Sequence, residues 1–78
     1  MTADAEAVAE VGADRLRVER SAFDADARLD AAPLGADSLD RVEIAEAIEA
    51  RLGVHVPDEA LAEVETVGDL QDWVAEHG

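Results

Sequence analysis

Cysteine is absent from the chain, as are lysine, asparagine and tyrosine. Without thiols there is no disulfide, no thiolate metal site and no thiol nucleophile. Any thiol chemistry has to come from a group added to the protein. Aromatic residues are limited to Phe23 and Trp73. No apolar run approaches the ~20 residues of a membrane span, so no membrane contact is expected. The N-terminus is acidic and lacks the basic stretch and apolar run of a secretory signal, which leaves the cytoplasm as the expected compartment. Positive charge is scarce: six arginines stand against 20 acids, for a net charge of −14. That sign argues against nucleic acid as a partner, because phosphate binding needs the opposite charge.

What is present is short and acidic. Seventy-eight residues make one small domain, expected to span residues 1–78. A domain of this size buries about 60% of its unfolded surface, so its core is thin. The charge is uneven: residues 35–78 carry 12 acids and 2 arginines, and residues 1–34 carry 8 and 4. An acidic surface of this kind suits basic patches on partner proteins and charge-steered association.

Hydrophobic spacing gives an all-α chain. Thr2 to Val18 reads as a first helix, capped by Thr2, with Asp4 and Glu6 at its positive end. Val8, Val11 and Leu16 form its apolar stripe. Gly12 interrupts it, either to permit close packing or to end it early, and Arg15, Arg17 and Arg20 cluster near its end. Ser21 to Pro33 is a long connection that Phe23 and Leu29 can pin to the core. Pro33 marks its boundary. Ser38 to Leu52 is the second and clearest helix, with Ile44, Ile48 and Leu52 at i, i+4 and i+8 beside Ala45. Gly53 is a natural stop. After a connector containing His55, Asp58 is expected to cap a short helix, Glu59 to Val64. Thr66 begins the last helix, with Asp69 completing a capping box. Val67, Leu70, Val74 and Trp73 form its inner face. The pattern predicts a small four-helix bundle with three longer helices and one short helix.

The stretch that carries the chemistry is Leu34-Gly35-Ala36-Asp37-Ser38-Leu39-Asp40. Ser38 falls where a loop turns into a helix, a position where serine also serves as a plain N-cap. Leu39 and Val42 lie roughly opposite the core stripe, among Glu43 and Glu46, and form a candidate docking patch. The Gly-Ala-Asp-Ser-Leu motif followed by an acidic amphipathic helix resembles the modification site of acyl carrier proteins. The resemblance extends from about Val8 to Val74 in helix order, length and charge. It implies that Ser38 carries 4′-phosphopantetheine, placed there from coenzyme A by a phosphopantetheinyl transferase with Mg²⁺. It further implies that Asp37 is associated with that metal during the encounter. The carrier does no chemistry itself, so no enzyme activity and no resident metal are expected. The arm's thiol holds acyl groups as thioesters for ketosynthase, acyltransferase, acyl-activating ligase or other pathway enzymes. In the family, acids on the second helix meet basic patches on such partners. Asp37, Asp40, Glu43, Glu49 and Asp58 match by position, and a monomer is expected.

Two residues depart from the family pattern. Arg41 places a cation in the first turn of a helix that is usually acidic there. Glu46 falls where many members carry an apolar residue. Both suggest a partner set unlike that of a housekeeping fatty-acid carrier, and the Ala-rich, Lys-free composition fits a discrete carrier of a specialised polyketide-type pathway. A peptidyl or aminoacyl carrier is the alternative within the class. An acidic helical adaptor, with Ser38 only a cap, is the alternative outside it.

Overall fold

The computed structural model describes residues 3–32 and 34–77. Thr2 and Pro33, assigned above to a cap and a loop boundary, lie outside the described residues. The order is α1 (Ala3–Leu16), a 3-10 turn (Arg20–Ala22), α2 (Ser38–Leu52), α3 (Asp58–Glu63) and α4 (Val67–His77). Three longer helices and one short one match the expected bundle.

Helix α1 buries Ala7, Val8, Ala9, Gly12 and Ala13, a stripe of mostly small residues that lets neighbouring elements approach closely. It stops two residues before the expected Val18. Arg17 takes the left-handed conformation, φ 57°, and Val18 N–H bonds to Ala13 C=O at 3.1 Å while Arg17 N–H bonds to Asp14 C=O at 3.3 Å. This is a Schellman ending with arginine where glycine is usual. Gly12 permits close packing rather than ending the helix. A Cβ built there would lie 2.2 Å from Cζ of Phe23, and Phe23 is fully buried.

The long connection is tied down, as the presence of Phe23 and Leu29 suggested. Both are buried in the core. Its backbone also pairs with the segment entering α4: Leu29 N–H bonds to Glu65 C=O at 3.0 Å, Val67 N–H to Ala27 C=O at 3.0 Å and Gly68 N–H to Ala25 C=O at 2.8 Å. Arg28 and Thr66 form an isolated antiparallel bridge. Among the described residues this bridge is the only β-type pairing, and no strand is present. Arg28 also pairs with Asp30 at 3.1 Å and Glu65 at 3.6 Å. Its hydrogen bond and charge hold the Asp30 carboxyl below the usual carboxylate range.

Helix α2 runs over the expected residues and turns Ile44, Ala45 and Ile48 inward. Leu52, expected in the same stripe, is only partly buried. Gly53 ends the helix with φ 72°, a conformation that any side chain would strain. Val54 and Val56 then enter the core. Asp58 does not cap α3, contrary to expectation. Pro57 occupies the cap position with extended backbone and makes no side-chain capping bond, so Asp58 is the first helical residue. There its charge faces the positive helix end. Helix α4 starts at Val67 behind the expected capping box: Asp69 N–H bonds to Thr66 Oγ1 at 3.1 Å, and Thr66 N–H to Asp69 Oδ2 at 3.2 Å. Val67, Leu70 and Val74 are buried with Gln71, whose Nε2 donates to Ala5 C=O at 2.9 Å and fastens α4 to α1. Trp73 packs at the core edge and stacks on His77 with ring centroids 3.9 Å apart, which makes it a packing residue.

Two outcomes test this architecture. Gly12→Ala is expected to lower stability by about 1–2 kcal/mol in urea unfolding, because a Cβ driven into the Phe23 ring puts the overpacking cost at about 2–3 kcal/mol, the upper part of the usual range, and the gain in helix propensity returns about 1. A variant as stable as the wild type would show that Phe23 is not seated on Gly12. The Asp69 carboxyl is held below its ordinary 3.8, first by the Glu65 N–H and then by that of Thr66. A depressed folded pKa stabilises above the unfolded value and loses that effect as the pH falls through the folded one. The stability advantage of wild type over Asp69→Asn should therefore be full near pH 6 and shrink below pH 3.8. A pH-independent difference would contradict the assignment.

Candidate functional site

The site is built at the start of α2. Asp37 is the N-cap: Asp40 N–H donates to Asp37 Oδ1 at 2.8 Å, and Asp37 N–H donates to Asp40 Oδ2 at 3.2 Å. This reciprocal pair closes the first turn. Ser38 is thereby the first helical residue and not the cap. Its side chain is exposed, and its hydroxyl has no protein partner among the described residues. A hydroxyl in that position is open to attack an electrophile brought by another protein. The N–H groups of Ser38 and Leu39 in the same first turn have no intrahelical acceptor, which favours an anion bound to Ser38.

Beside Ser38 opens a groove of about 520 Å³ lined by Ala36, Asp37, Ser38, Arg41, Val42, Asp58, Leu61 and Ala62. It lies between the start of α2 and helix α3. Four of the expected site residues meet there: Asp37, Ser38, Val42 and Asp58. On the outer side of α2, at about 100° per residue, Leu39, Glu43 and Glu46 lie opposite the core stripe, and Val42 and Glu49 lie between them and Ser38. Leu39 and Val42 are the two large apolar side chains left exposed among the described residues, at 66% and 39%. They form one apolar spot beside Ser38, rimmed by carboxylates. Asp40 stands apart from this face, its carboxylate committed to the capping pair. Glu49 lies 3.2 Å from His55 Nδ1, so protonation of that histidine would partly mask it.

Arg41 does not join the docking face. It is partly buried, and its Nη1 donates to the carbonyls of Leu61 and Val64 at 3.0 and 3.1 Å. It thus holds the C-terminal end of α3, where a cation is favoured. The signal was present in the sequence: Arg41 precedes Ile44 by three residues and Ile48 by seven, the spacing of the core face. Arg51 pairs with Glu10 of α1 at 2.9 Å, and Arg20 pairs with Glu6. Both arginines of α2 are therefore held by the protein itself, which leaves its outer face acidic. The groove walls supplied by Ala36, Leu61 and Ala62 were not foreseen, because they come from two segments, the loop before α2 and helix α3, brought together only by folding.

The structure is a small helical bundle that presents one unpartnered serine at a helix start, an arrangement suited to carrying a covalently attached group. Comparison with known proteins agrees. A family model described as a phosphopantetheine attachment site matches residues 6–74. An acyl carrier protein of Treponema pallidum is 40% identical over 62 residues, 80% of this chain and 78% of the relative. An acyl carrier protein of Rubrobacter xylanophilus is 39% identical over 70 residues, 90% of this chain and 85% of the relative. One from Clostridium perfringens is 48% identical over 44 residues, 56% of this chain and 58% of the relative. The chain belongs to the acyl carrier protein family, whose members are carriers and not enzymes. Membership brings a covalently attached phosphopantetheine, and an exposed serine hydroxyl beside an open groove fits such a group. No helix among the described residues is long and apolar enough to cross a membrane.

Proposed function

We propose that this chain is an acyl carrier of polyketide or fatty-acid-type biosynthesis, with Ser38 as the attachment point of 4′-phosphopantetheine. The observation that carries this reading is that Asp37 takes the cap position and leaves the Ser38 hydroxyl exposed and without a protein partner. In the encounter with a phosphopantetheinyl transferase, Ser38 Oγ attacks the phosphorus of the pyrophosphate of coenzyme A. The attacked phosphorus is the one that bears pantetheine; its bond to the bridging oxygen breaks, the adenosine bisphosphate leaves with that oxygen, and the hydroxyl proton passes to a base on the transferase. Asp37 uses Oδ1 for capping and keeps Oδ2 for the Mg²⁺ of that complex. The arm supplies a terminal thiol that carries acyl groups as thioesters.

The docking face is Leu39, Val42, Glu43, Glu46 and Glu49, with Asp58 across the groove. Leu39 inserts its exposed side chain into an apolar socket of the partner, and the acids meet its basic rim. Such pairing gives fast, salt-sensitive encounter rather than tight binding, which suits a carrier that visits a transferase, ketosynthase, acyltransferase or acyl-activating ligase in turn. Glu46 narrows the partner set by placing charge where many relatives are apolar, which supports a specialised pathway. With Arg41 turned inward, Glu46 and the composition alone bear on that point. The whole span 1–78 is assigned to one carrier domain.

Incubation with coenzyme A, Mg²⁺ and a broad-specificity transferase, read by intact mass, is expected to add one phosphopantetheine to the wild type and none to Ser38→Ala. Protein that already carries that mass after expression supports the same conclusion, provided Ser38→Ala does not. A folded, unmodified wild type that gains nothing would overturn the carrier reading in favour of an unmodified adaptor.

A further inference from the structure

Arg41 is the one cation that lines the groove beside Ser38. A guanidinium has five N–H donors, and Arg41 directs only Nη1 to protein acceptors, the Leu61 and Val64 carbonyls. Its Nε and Nη2 have no protein acceptor among the described residues. No buried side-chain nitrogen lacks a partner there, so these donors reach solvent. They sit three residues after Ser38, on the same side of α2, where side chains are about 5–6 Å apart at Cβ. The other charged groups of the groove, Asp37 and Asp58, would repel an anion attached to Ser38.

We infer that Arg41 is a positioning residue for the arm: Nη1 fixes the end of α3, and Nε and Nη2 hold the two non-bridging oxygens of the phosphodiester on Ser38. The inference rests on Ser38 being the attachment point. The guanidinium charge offsets the two groove carboxylates, and its planar donors match phosphate oxygens in a two-point geometry. Bound in this way, the arm leaves Ser38 along the groove between α2 and α3 instead of swinging freely from the helix end. The end of α3 and the root of the arm are then coupled through one side chain.

The test uses the full chain with ¹⁵N-labelled arginine, as the unloaded and the phosphopantetheine-loaded protein, with loading checked by intact mass. Arg41→Lys identifies the Arg41 signal, and the solvent exchange of Nε–H is measured in both forms. Loading is expected to slow Nε–H exchange at Arg41 by about tenfold, the ratio that one charge-assisted hydrogen bond of moderate strength gives, and to leave Arg20 and Arg51 unchanged. A purely structural role for Arg41 would give equal exchange in both forms, since the bonds to α3 exist before loading. Loaded protein with unchanged Arg41 exchange would overturn the inference while leaving Ser38 as the attachment point. A protein that takes up no arm on Ser38 would overturn both.

Discussion

The reciprocal pair of Asp37 and Asp40 sets the start of α2, and the functional end of the molecule depends on that start. An N-cap must satisfy an orphan N–H of the first turn. Here a carboxylate does so, and a second carboxylate three residues on returns the bond. The serine between them is released from that duty and enters the helix as its first residue. The apolar spacing of Ile44 and Ile48 turns that side of α2 to the core, while Leu39 and Val42 remain outside. The capping pair therefore determines where the helix begins and leaves the Ser38 hydroxyl free at that start.

The second constraint is charge. A net charge of −14 on so small a body is self-repelling, and the few cations are placed where they hold elements together. Arg51 ties α2 to α1, Arg28 ties the long connection to the entrance of α4, and Arg41 ties α2 to α3. The exposed ion pairs of Arg51 and Arg28 are individually worth about 0–1 kcal/mol, so their effect lies as much in where they leave no positive charge as in stability. The outer face of α2 keeps its acids and loses its arginines to the interior and the sides. A surface suited to basic partners thus follows from internal pairing as well as from composition.

Much of the fold was legible because it is local. The apolar spacing of Ile44 and Ile48 and the stop at Gly53 gave α2 its residues, and Thr66 with Asp69 gave the start of α4. Adjacent alternatives were harder to separate. Asp37 and Ser38 are both good caps, and only the acid at Asp40 distinguishes them, through the same reciprocal spacing that was read correctly at Thr66. Pro57 displaced Asp58 from the cap of α3 because extended backbone ended one residue earlier than the side-chain preference suggested. Arg17 closed α1 in a conformation that arginine rarely adopts, which no pattern announces. The pairing of residues 25–29 with 65–68 and the groove formed by Ala36, Leu61 and Ala62 join segments distant in sequence, so neither periodicity nor composition encodes them. Arg41 was read as bearing on partner choice because its sign drew more notice than its core-face spacing.

The central claim is that Ser38 is held for chemistry and not for capping, and urea unfolding of three variants tests it most directly. Asp37→Ala should lose about 1 kcal/mol, the usual value of a cap. Asp37→Asn, which keeps a capping oxygen, should stay near the wild type, and Ser38→Ala should change stability by less than about 0.5 kcal/mol. A loss at Ser38→Ala as large as that at Asp37→Ala would mean that the serine hydroxyl carries the cap, and the account of the site would fail.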